Sequence, residues 1–478
     1  MIHPRSLQRP SHPARSTRRA GWTGPAGPAG LTPRASWVLA LAAAGLVACG
    51  AVAPQATTAP GPAPGRVTNG PDGAATQTRA SAAGAAAGSA AAGTPTAAAT
   101  APGAAAAPPP PPTLPQEQAV LNAATALLDN AQLATSGAAP NTRHALVIDP
   151  LIDGITGAQT TATRAMGERL AALIRAQYPQ YTVLPFSAAS VARSPLVLIG
   201  TFTGVNAQRQ AAGSREAYRI CLALADLKTG KLVGKGLAFS QAAGVDNTPL
   251  ASFRDAPAWT DDPATLGYVR TCQGTRAGDP INPLYLDRII AATVVAEAIE
   301  AYDAGRYQAA LDLYTSAQRS AAGDQFRVHN GIYLAYWKLG RRDKAEAAFG
   351  KIVDYGLAQK RLAVKFLFRP GSSALATDAK TSAAYPMWIK TIGARTAAAT
   401  ACLEVAGHTS ATGPEPLNER LSLLRAEYLK SQLALAAPAL AARMIANGIG
   451  SRQTMVGNGR DDASDAMDRR VEFKVIGC

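Results

Sequence analysis

The sequence has 478 residues, of which 47% are hydrophobic, and its formal net charge is +15. This length allows two to four domains. Six of the positive charges precede Cys49 in a segment predicted to be removed, and the remaining excess of about +9 is spread thinly, without a Lys/Arg-rich run or an aromatic-interleaved basic motif. The charge pattern therefore argues against nucleic-acid binding and fits a solvated surface near anionic envelope polymers.

The N-terminal region predicts export. An apolar run from Trp37 to Ala48 follows an Arg-rich start and is shorter than the about 20 apolar residues that a membrane span needs, so residues 1–48 are expected to be a signal peptide. The run ends in Leu-Val-Ala-Cys, which resembles the lipobox of bacterial lipoproteins. The resemblance implies a lipid anchor on Cys49. Gly50 stands where an Asp would indicate inner-membrane retention, so we expect the periplasmic face of the outer membrane.

Residues 49–115 are predicted to form a flexible tether. From Gly50 to Pro112 nearly all residues are Ala, Pro, Gly or Thr, and Arg66, Asp72 and Arg79 carry the only charges. Such a segment has almost no large apolar side chains with which to build a core.

The cysteines indicate disulfides and not a metal centre. They show no CxxC pair and no Cys/His spacing suited to zinc, so neither a metal nor a cofactor is expected. If Cys49 carries lipid, four cysteines remain in an oxidising compartment. We predict pairing within domains, Cys221 with Cys272 and Cys402 with Cys478. The alternative is four unpaired buried thiols.

Residues 116–288 predict an α/β domain. From His144 the pattern is strand, helix, strand and strand, followed by a hairpin around the turn at 228–230. This order resembles the α/β domain of penicillin-binding-protein activator lipoproteins and of curli-secretion lipoproteins, although no diagnostic residue carries the likeness. The alternative is a spacer or interaction domain, with an envelope protein of unknown identity as its partner.

Residues 289–358 are predicted to be helical and nearly repeat themselves. Gly305 and Gly340 occupy equivalent positions 35 residues apart, each followed by Arg and an Ala-rich helical pattern. This resembles tetratricopeptide repeats, which have a period of about 34 residues and a glycine between paired helices. Two repeats are too few for a stable solenoid, so they should pack on a neighbouring domain.

Residues 362–478 carry the most specific pattern. A predicted strand at Val364–Phe368 is followed by a second at Cys402–Thr409, which ends in Gly-His-Thr, then by Asn-Glu-Arg-Leu-Ser-Leu-Leu-Arg-Ala at 418–426, and the chain closes with Arg-Arg-Val-Glu at 469–472. The order and the motifs resemble the OmpA-like peptidoglycan-binding domain. The resemblance implies a C-terminal α+β sandwich.

The helix in this motif brings a set of side chains into one stripe. Asn418, Ser422 and Arg425 follow helical spacing. The resemblance implies a binding site for the diaminopimelate side chain of the peptidoglycan stem peptide, in which an Arg binds the carboxylate and an Asp binds the ammonium. The planar guanidinium suits the first role because it can donate two hydrogen bonds to a carboxylate. The candidate binding residues are Thr409, Ser410, Asn418, Leu421, Arg425 and Arg469.

The sequence departs from the family pattern at Ser410, where the family has Asp. The charged partner of the ammonium is therefore missing, so weaker binding or a different ligand is expected. Four aspartates could supply a substitute, or could form a solvated acidic loop that pairs with nearby arginines: Asp461, Asp462, Asp465 and Asp468. His408 is expected to be a structural hydrogen-bonding residue and not a catalytic base, since no nucleophile accompanies it.

Three functions compete at this stage. The first is an outer-membrane lipoprotein that tethers the envelope by non-covalent binding to peptidoglycan. The second is a regulatory or scaffolding lipoprotein whose middle domains bind an envelope protein, with the OmpA-like domain serving only for localisation. The third, an envelope hydrolase, lacks any matching acid, base or metal constellation, so we expect no enzymatic activity.

Overall fold

The computed structural model describes residues 111–133, 143–211, 215–369, 371–377, 382–455, 457, 459, 465 and 468–478. All of them belong to a unit that extends from Ala101 to Cys478. The predicted signal peptide, the lipidation site at Cys49 and the tether up to residue 110 lie outside the described residues. Within the described part, no helix is long and apolar enough to cross a membrane.

A seven-stranded mixed sheet forms the first part of the fold. Its order is β1-β7-β6-β5-β2-β4, with β3 paired to β5; β2 is parallel to both β4 and β5, whereas β5, β6 and β7 are antiparallel. Every residue of β5 is buried, as expected for a central strand covered on both faces. The strands are β1 (Thr113–Leu114), β2 (His144–Ile148), β3 (Ile152–Asp153), β4 (Tyr181–Leu184), β5 (Leu196–Val205), β6 (Ala217–Asp226) and β7 (Lys231–Gln241).

Helices cover both faces of this sheet. Buried side chains of α1 and α2 fill one face, and those of α5, α6 and the following helix fill the other. The mixed α/β character and the predicted hairpin are confirmed, with Gly230 at a φ of +69° in its turn. The helices are α1 (Gln116–Asp129), α2 (Thr161–Gln177), α3 (Ala188–Val191), α4 (Ala251–Arg254), α5 (Pro263–Cys272) and α6 (Pro283–Leu286).

Two features at the start of this part differ from the sequence-based expectation. Thr113 and Leu114 pair with Phe239 and Ser240, so the predicted end of the tether at residue 115 lies too late. Helix α1 was not predicted, and it packs so closely on β7 that a Cβ at Gly234 would lie 2.8 Å from the carbonyl oxygen of Leu127.

Two helix pairs follow. They are α7 (Ile289–Asp303) with α8 (Tyr307–Gln318), and α9 (Phe326–Lys338) with α10 (Arg342–Ala358). Gly305 and Gly340 lie at the turns within the pairs with φ of +74° and +73°, a conformation that glycine adopts without steric cost. The helices share one continuous hydrophobic core with the C-terminal domain.

The C-terminal domain contains a five-stranded sheet of order β11-β10-β12-β9-β8. β10 and β11 are parallel and the other neighbours are antiparallel. The helices α11 (Tyr385–Ala398) and α12 (Glu415–Ala436) pack on it, and a short 3₁₀ helix covers Pro438–Arg443. The strands are β8 (Ala258–Trp259), β9 (Arg361–Val364), β10 (Cys402–Gly407), β11 (Met444–Gly448) and β12 (Val471–Ile476).

One domain boundary and one strand position drawn from the sequence need correction. β8 belongs to the predicted α/β segment 116–288, yet Ala258 pairs with Val364 and Trp259 with Ala363 in the C-terminal sheet. The predicted strand at Val364–Phe368 is misplaced, because β9 begins three residues earlier at Arg361 and ends four residues earlier at Val364. Lys365 N then donates to the carbonyl of Pro257. Both differences arise because the strand conformation of so short a segment depends on pairing with a distant part of the chain.

Both predicted disulfides are confirmed. Cys221 in β6 is bonded to Cys272 at the end of α5, with Cα atoms 6.2 Å apart. Cys402 at the start of β10 is bonded to Cys478 after β12, with Cα atoms 5.3 Å apart. The second bond forms because β10 and β12 run antiparallel side by side, with Cys402 opposite Ile476.

Candidate functional site

The end of β10 and the start of α12 are held in close contact by two glycines. A Cβ at Gly407 would collide with the backbone carbonyl of Ser422, and one at Gly448 would lie 2.6 Å from the carbonyl oxygen of Glu419. The hydroxyl of Ser422 also accepts a hydrogen bond from Gly450 N at 2.9 Å. The helix is therefore fixed against the strand ends, beside the loop that begins at His408.

Asn418 shapes that loop. Its Nδ2 donates to the carbonyl oxygens of Thr412 and Gly413 at 3.1 and 3.3 Å. Thr409 N donates to the carbonyl of Gly450 at 2.9 Å, and both Thr409 and Ser410 are buried. Within the described part of the chain, the buried Oγ1 of Thr409 has no hydrogen-bond partner. The predicted residues Thr409, Ser410 and Asn418 thus belong to one anchored loop.

Arg425 lies two turns further along α12 and is only 3% exposed. Its Nε donates to the carbonyl of Ser372 at 3.1 Å, and its guanidinium carbon lies 4.9 Å from the centroid of the Phe368 ring. Among the described residues, no carboxylate lies within ion-pair distance of it. Burial, and then the positive charge of Arg469, lower its pKa to about 10, so it remains cationic at neutral pH.

The structure therefore places Arg425 and Arg469 close enough for the charge of Arg469 to affect the pKa of Arg425. In the described part of the chain no hydrogen bond joins Arg425 to Thr409 or Ser410, and Leu421 is half-buried on the same helix. Phe368 and Ser372 are neighbours of Arg425 that sequence analysis missed. They follow β9 in a segment whose path across α12 has no local sequence signal.

Two of the four candidate aspartates bind backbone amides of their own loop. Asp465 and Asp468 are fully buried and not solvated. Asp465 Oδ1 accepts from Gly459 N at 3.0 Å, and Asp468 accepts from Met455 N and, at 2.8 Å, from Gly457 N. They hold the backbone of the loop before β12, because buried carboxylates need donors. Asp461 and Asp462 lie outside the described residues.

His408 belongs to a buried charge network next to the site. Glu472 accepts bidentate hydrogen bonds from Arg361 at 3.0 and 2.9 Å and further bonds from Arg470 at 2.8 and 2.6 Å. His408 Nε2 lies 3.7 Å from Glu472 Oε1, and neither ring nitrogen makes a hydrogen bond to the described residues. His408 therefore hydrogen-bonds through its backbone N, which donates to the carbonyl of Arg470 at 3.0 Å, and not through its ring, since Glu472 already accepts from two arginines.

The same network fixes the protonation states of its members. Burial and then the charge of Arg470 lower the pKa of His408 to about 3. Burial alone would raise the pKa of Glu472, but Arg470 and Arg361 together lower it to about 2. At neutral pH the network therefore consists of a neutral imidazole beside an ionised carboxylate and two guanidinium groups. Among the described residues, no group of three or more His, Cys, Asp or Glu side chains is placed to hold a metal ion.

Comparison with known proteins gives structural neighbours only. No protein-family model matches the chain, and no curated sequence does. The peptidoglycan-associated lipoprotein from Burkholderia pseudomallei is 23% identical over 24% of this chain and 89% of that protein, with a TM-score of 0.21. The cell wall anchor of the type VI secretion system from Pseudomonas aeruginosa is 20% identical over 28% of this chain and 96% of its own, with a TM-score of 0.22.

A third neighbour is an OmpA-like domain from Francisella tularensis, 18% identical over 25% of this chain and 76% of that one, with a TM-score of 0.20. These neighbours include OmpA-like envelope proteins, and each covers about a quarter of the present chain. At such identities and TM-scores the likeness supports no inference about function. The relation to tetratricopeptide repeats and to activator lipoproteins stays a prediction.

Proposed function

We propose that this protein binds peptidoglycan non-covalently through its C-terminal domain, with a carboxylate of the stem peptide held by Arg425. The observation that carries the proposal concerns Arg425. Its guanidinium is 3% exposed, is affected by the positive charge of Arg469, and has no acidic partner of its own among the described residues. An unpaired buried charge costs several kcal/mol, so such a group is suited to an anionic ligand that completes the pair. Diaminopimelate supplies such a carboxylate on its side chain.

The proposal extends to tethering at the outer membrane. Its support is the lipobox-like sequence that ends at Cys49, the Gly50 that follows it, and the Ala/Pro-rich segment up to residue 112. In this arrangement the lipid lies in the membrane, the segment spans the gap, and the folded part reaches the wall. Ser410, in the position of the family Asp, supplies no charge for the ammonium of the ligand, so affinity should rest mainly on the carboxylate.

A sedimentation assay with purified sacculi tests the binding site. The full chain in detergent should co-sediment, and Arg425→Met should abolish most of that binding. Arg420→Met is the matched control, because Arg420 is exposed on the same helix and should bind like the wild type. A soluble stem peptide with diaminopimelate should compete, whereas the same peptide with lysine in its place, which lacks the second carboxylate, should not.

Retention of Arg425→Met on sacculi, or equal competition by both peptides, would contradict the proposed site. Loss of binding in both arginine variants would point to non-specific attraction between a basic protein and an anionic polymer.

The regulatory or scaffolding function is the second candidate, and one observation favours it. A groove open to solvent lies at the carboxyl ends of β2 and β4, between α2 and the end of α7, where ligands often bind in α/β sheets. It is crossed by an ion pair of 3.0 Å between Arg164 and Asp303. It ranks second because its charged side chains are exposed or, like Asp303, already paired within the protein. Crosslinking in cells from position 168 should capture a stoichiometric protein if this function is correct.

A further inference from the structure

Helix α12 carries an apolar stripe on its solvent side. Three of its leucines are exposed, Leu417 at 61%, Leu424 at 43% and Leu435 at 76%. Single exposed leucines are common on protein surfaces, but these three follow a pattern. Alternating steps of four and three residues along the helix give the α12 seam: Leu417, Leu421, Leu424, Tyr428, Ser431 and Leu435. This is the heptad spacing by which helices pair in coiled coils.

The α12 seam is separate from the side of the helix that packs inside the domain. Six residues of α12 are buried: Asn418, Ser422, Arg425, Ala426, Leu429 and Leu433. With 3.6 residues per turn, the centre of that set lies about 130° around the helix axis from the centre of the seam. Leu421 and Tyr428 are half-buried at the edge of the seam. The core of the domain therefore leaves the seam without an apolar covering along most of its length.

Two opposite charges flank the α12 seam at equivalent positions, each directly before a seam residue. Arg420 and Glu427 are both exposed, and among the described residues neither forms an ion pair. They lie seven residues apart, whereas side chains on one helix are neighbours at three or four residues. In an antiparallel pair of identical helices, Arg420 of each helix lies beside the partner's Glu427. A parallel pair would instead bring Arg420 towards the partner's Arg425, which is a like charge.

We propose that α12 pairs with the α12 of a second copy of this chain, antiparallel and across a twofold axis. The register that joins Arg420 to the partner's Glu427 also matches the apolar residues of the two seams. Because the axis forms each contact twice, the dimer has two ion pairs and four apolar layers. The layers consist of two repeated contacts: Leu417 with the partner's Tyr428, and Leu421 with the partner's Leu424. This dimer goes beyond the proposed binding of peptidoglycan and does not depend on it.

Light scattering on the full chain in detergent tests the proposal, because together with absorbance and refractive index it gives the mass of the protein without the bound detergent. The wild type should change from one chain to two as its concentration rises. Arg420→Glu and Glu427→Arg each create two like-charge contacts, so each should raise the dissociation constant of the dimer by about tenfold or more. Arg420→Met creates no like-charge contact and should have a far smaller effect.

The double variant Arg420→Glu/Glu427→Arg restores both ion pairs with their signs exchanged. It should dimerise like the wild type, which a variant damaged in its folding would not do. Lys430→Glu is the matched control, because this residue reverses a charge two positions after Tyr428, on a side of the helix turned away from the seam.

A pair of leucine variants tests the register. Leu424→Ser should raise the dissociation constant by about tenfold or more, since the dimer loses an apolar side chain from two layers. Leu435→Ser should have no effect, although Leu435 is the more exposed of the two, because in this register it lies beyond the start of the partner's α12. Equal effects of the two variants would indicate unspecific apolar association and would contradict the proposal.

A protein that stays monomeric at every concentration would overturn the proposal, and the seam would then be a surface for a different protein. A dimer that the charge reversals leave unchanged, or that the double variant fails to restore, would overturn it as well. The measurement contains no peptidoglycan, so none of these outcomes bears on the proposed wall-binding site.

Discussion

Replacement of Arg425 by methionine separates a ligand-binding guanidinium from a structural one. Burial, and then the charge of Arg469, lower the pKa of Arg425 from 12.5 to about 10. This shift corresponds to a cost of about 3 kcal/mol for the charged form in the folded protein. Because the unfolded chain holds the same group in water, this cost opposes folding at pH 7. Methionine removes it.

The replacement also loses contacts. The hydrogen bond from Nε to the carbonyl of Ser372 contributes about 1.5–3 kcal/mol, and the half-buried carbonyl can regain water when it is lost. Methionine can replace the contact of the guanidinium with the Phe368 ring, since a thioether also packs well on an aromatic ring. We therefore expect Arg425→Met to raise the free energy of unfolding by about 1 kcal/mol while it abolishes sacculus binding.

Thermal and urea unfolding followed by tryptophan fluorescence measure this, with Arg420→Met as the control that should leave the midpoint unchanged. A fall in the unfolding midpoint of Arg425→Met would refute the reasoning. It would show that the guanidinium serves as a clamp for the segment after β9, and loss of binding in that variant would then report damage to the domain.

Three further predictions concern the same domain. Ser410→Asp should increase affinity for a diaminopimelate stem peptide by about tenfold in calorimetry, because a charged acceptor replaces a neutral one. Gly407→Ala should lower the free energy of unfolding in urea by about 1–3 kcal/mol or more, since its Cβ would collide with the carbonyl of Ser422. His408→Leu should flatten the loss of stability between about pH 6.5 and 4.5, followed by thermal melts. The pKa of His408 is lowered in the folded protein, so below pH 6.5 the unfolded chain binds a proton that the folded protein does not, and stability falls as the pH falls. Below about pH 4.5 Glu472 adds a second loss of stability for the same reason, because its pKa is lowered too.

Much of the fold followed from local patterns. The hairpin of β6 and β7, the glycine turns at 305 and 340, and the order of elements after residue 362 each had a signal within a few residues. The disulfides followed from pairing cysteines within domains. Helix α1 also has a signal in the sequence, with buried positions at helical spacing from Ala119 to Leu128, but the low-complexity segment directly before it obscures that signal.

What could not be predicted depends on contacts between distant segments. β8 has two residues, and its strand conformation exists because β9 lies beside it. The surroundings of Arg425 are a similar case: the helix position was evident from its spacing, whereas Phe368 and Ser372 reach it only after the chain folds across α12. The saturation of Glu472 by two arginines, one of them on β9, likewise has no signature in the sequence around His408.

The pairing of β8 with β9 has a mechanical consequence. If the proposed lipid anchor and the proposed cell-wall contact are drawn apart, tension enters the described part near Thr113 and leaves it through the C-terminal domain. Among the described residues, these regions are joined directly by the short ladder at Ala258 and Trp259 and by the bond from Lys365 N to the carbonyl of Pro257. The Arg361 guanidinium on β9 lies 4.9 Å from the centroid of the Trp259 ring and reinforces this connection. Load would therefore be shared between this ladder and the helix pairs, and the joint, rather than either sheet, is where an overstretched molecule would first yield.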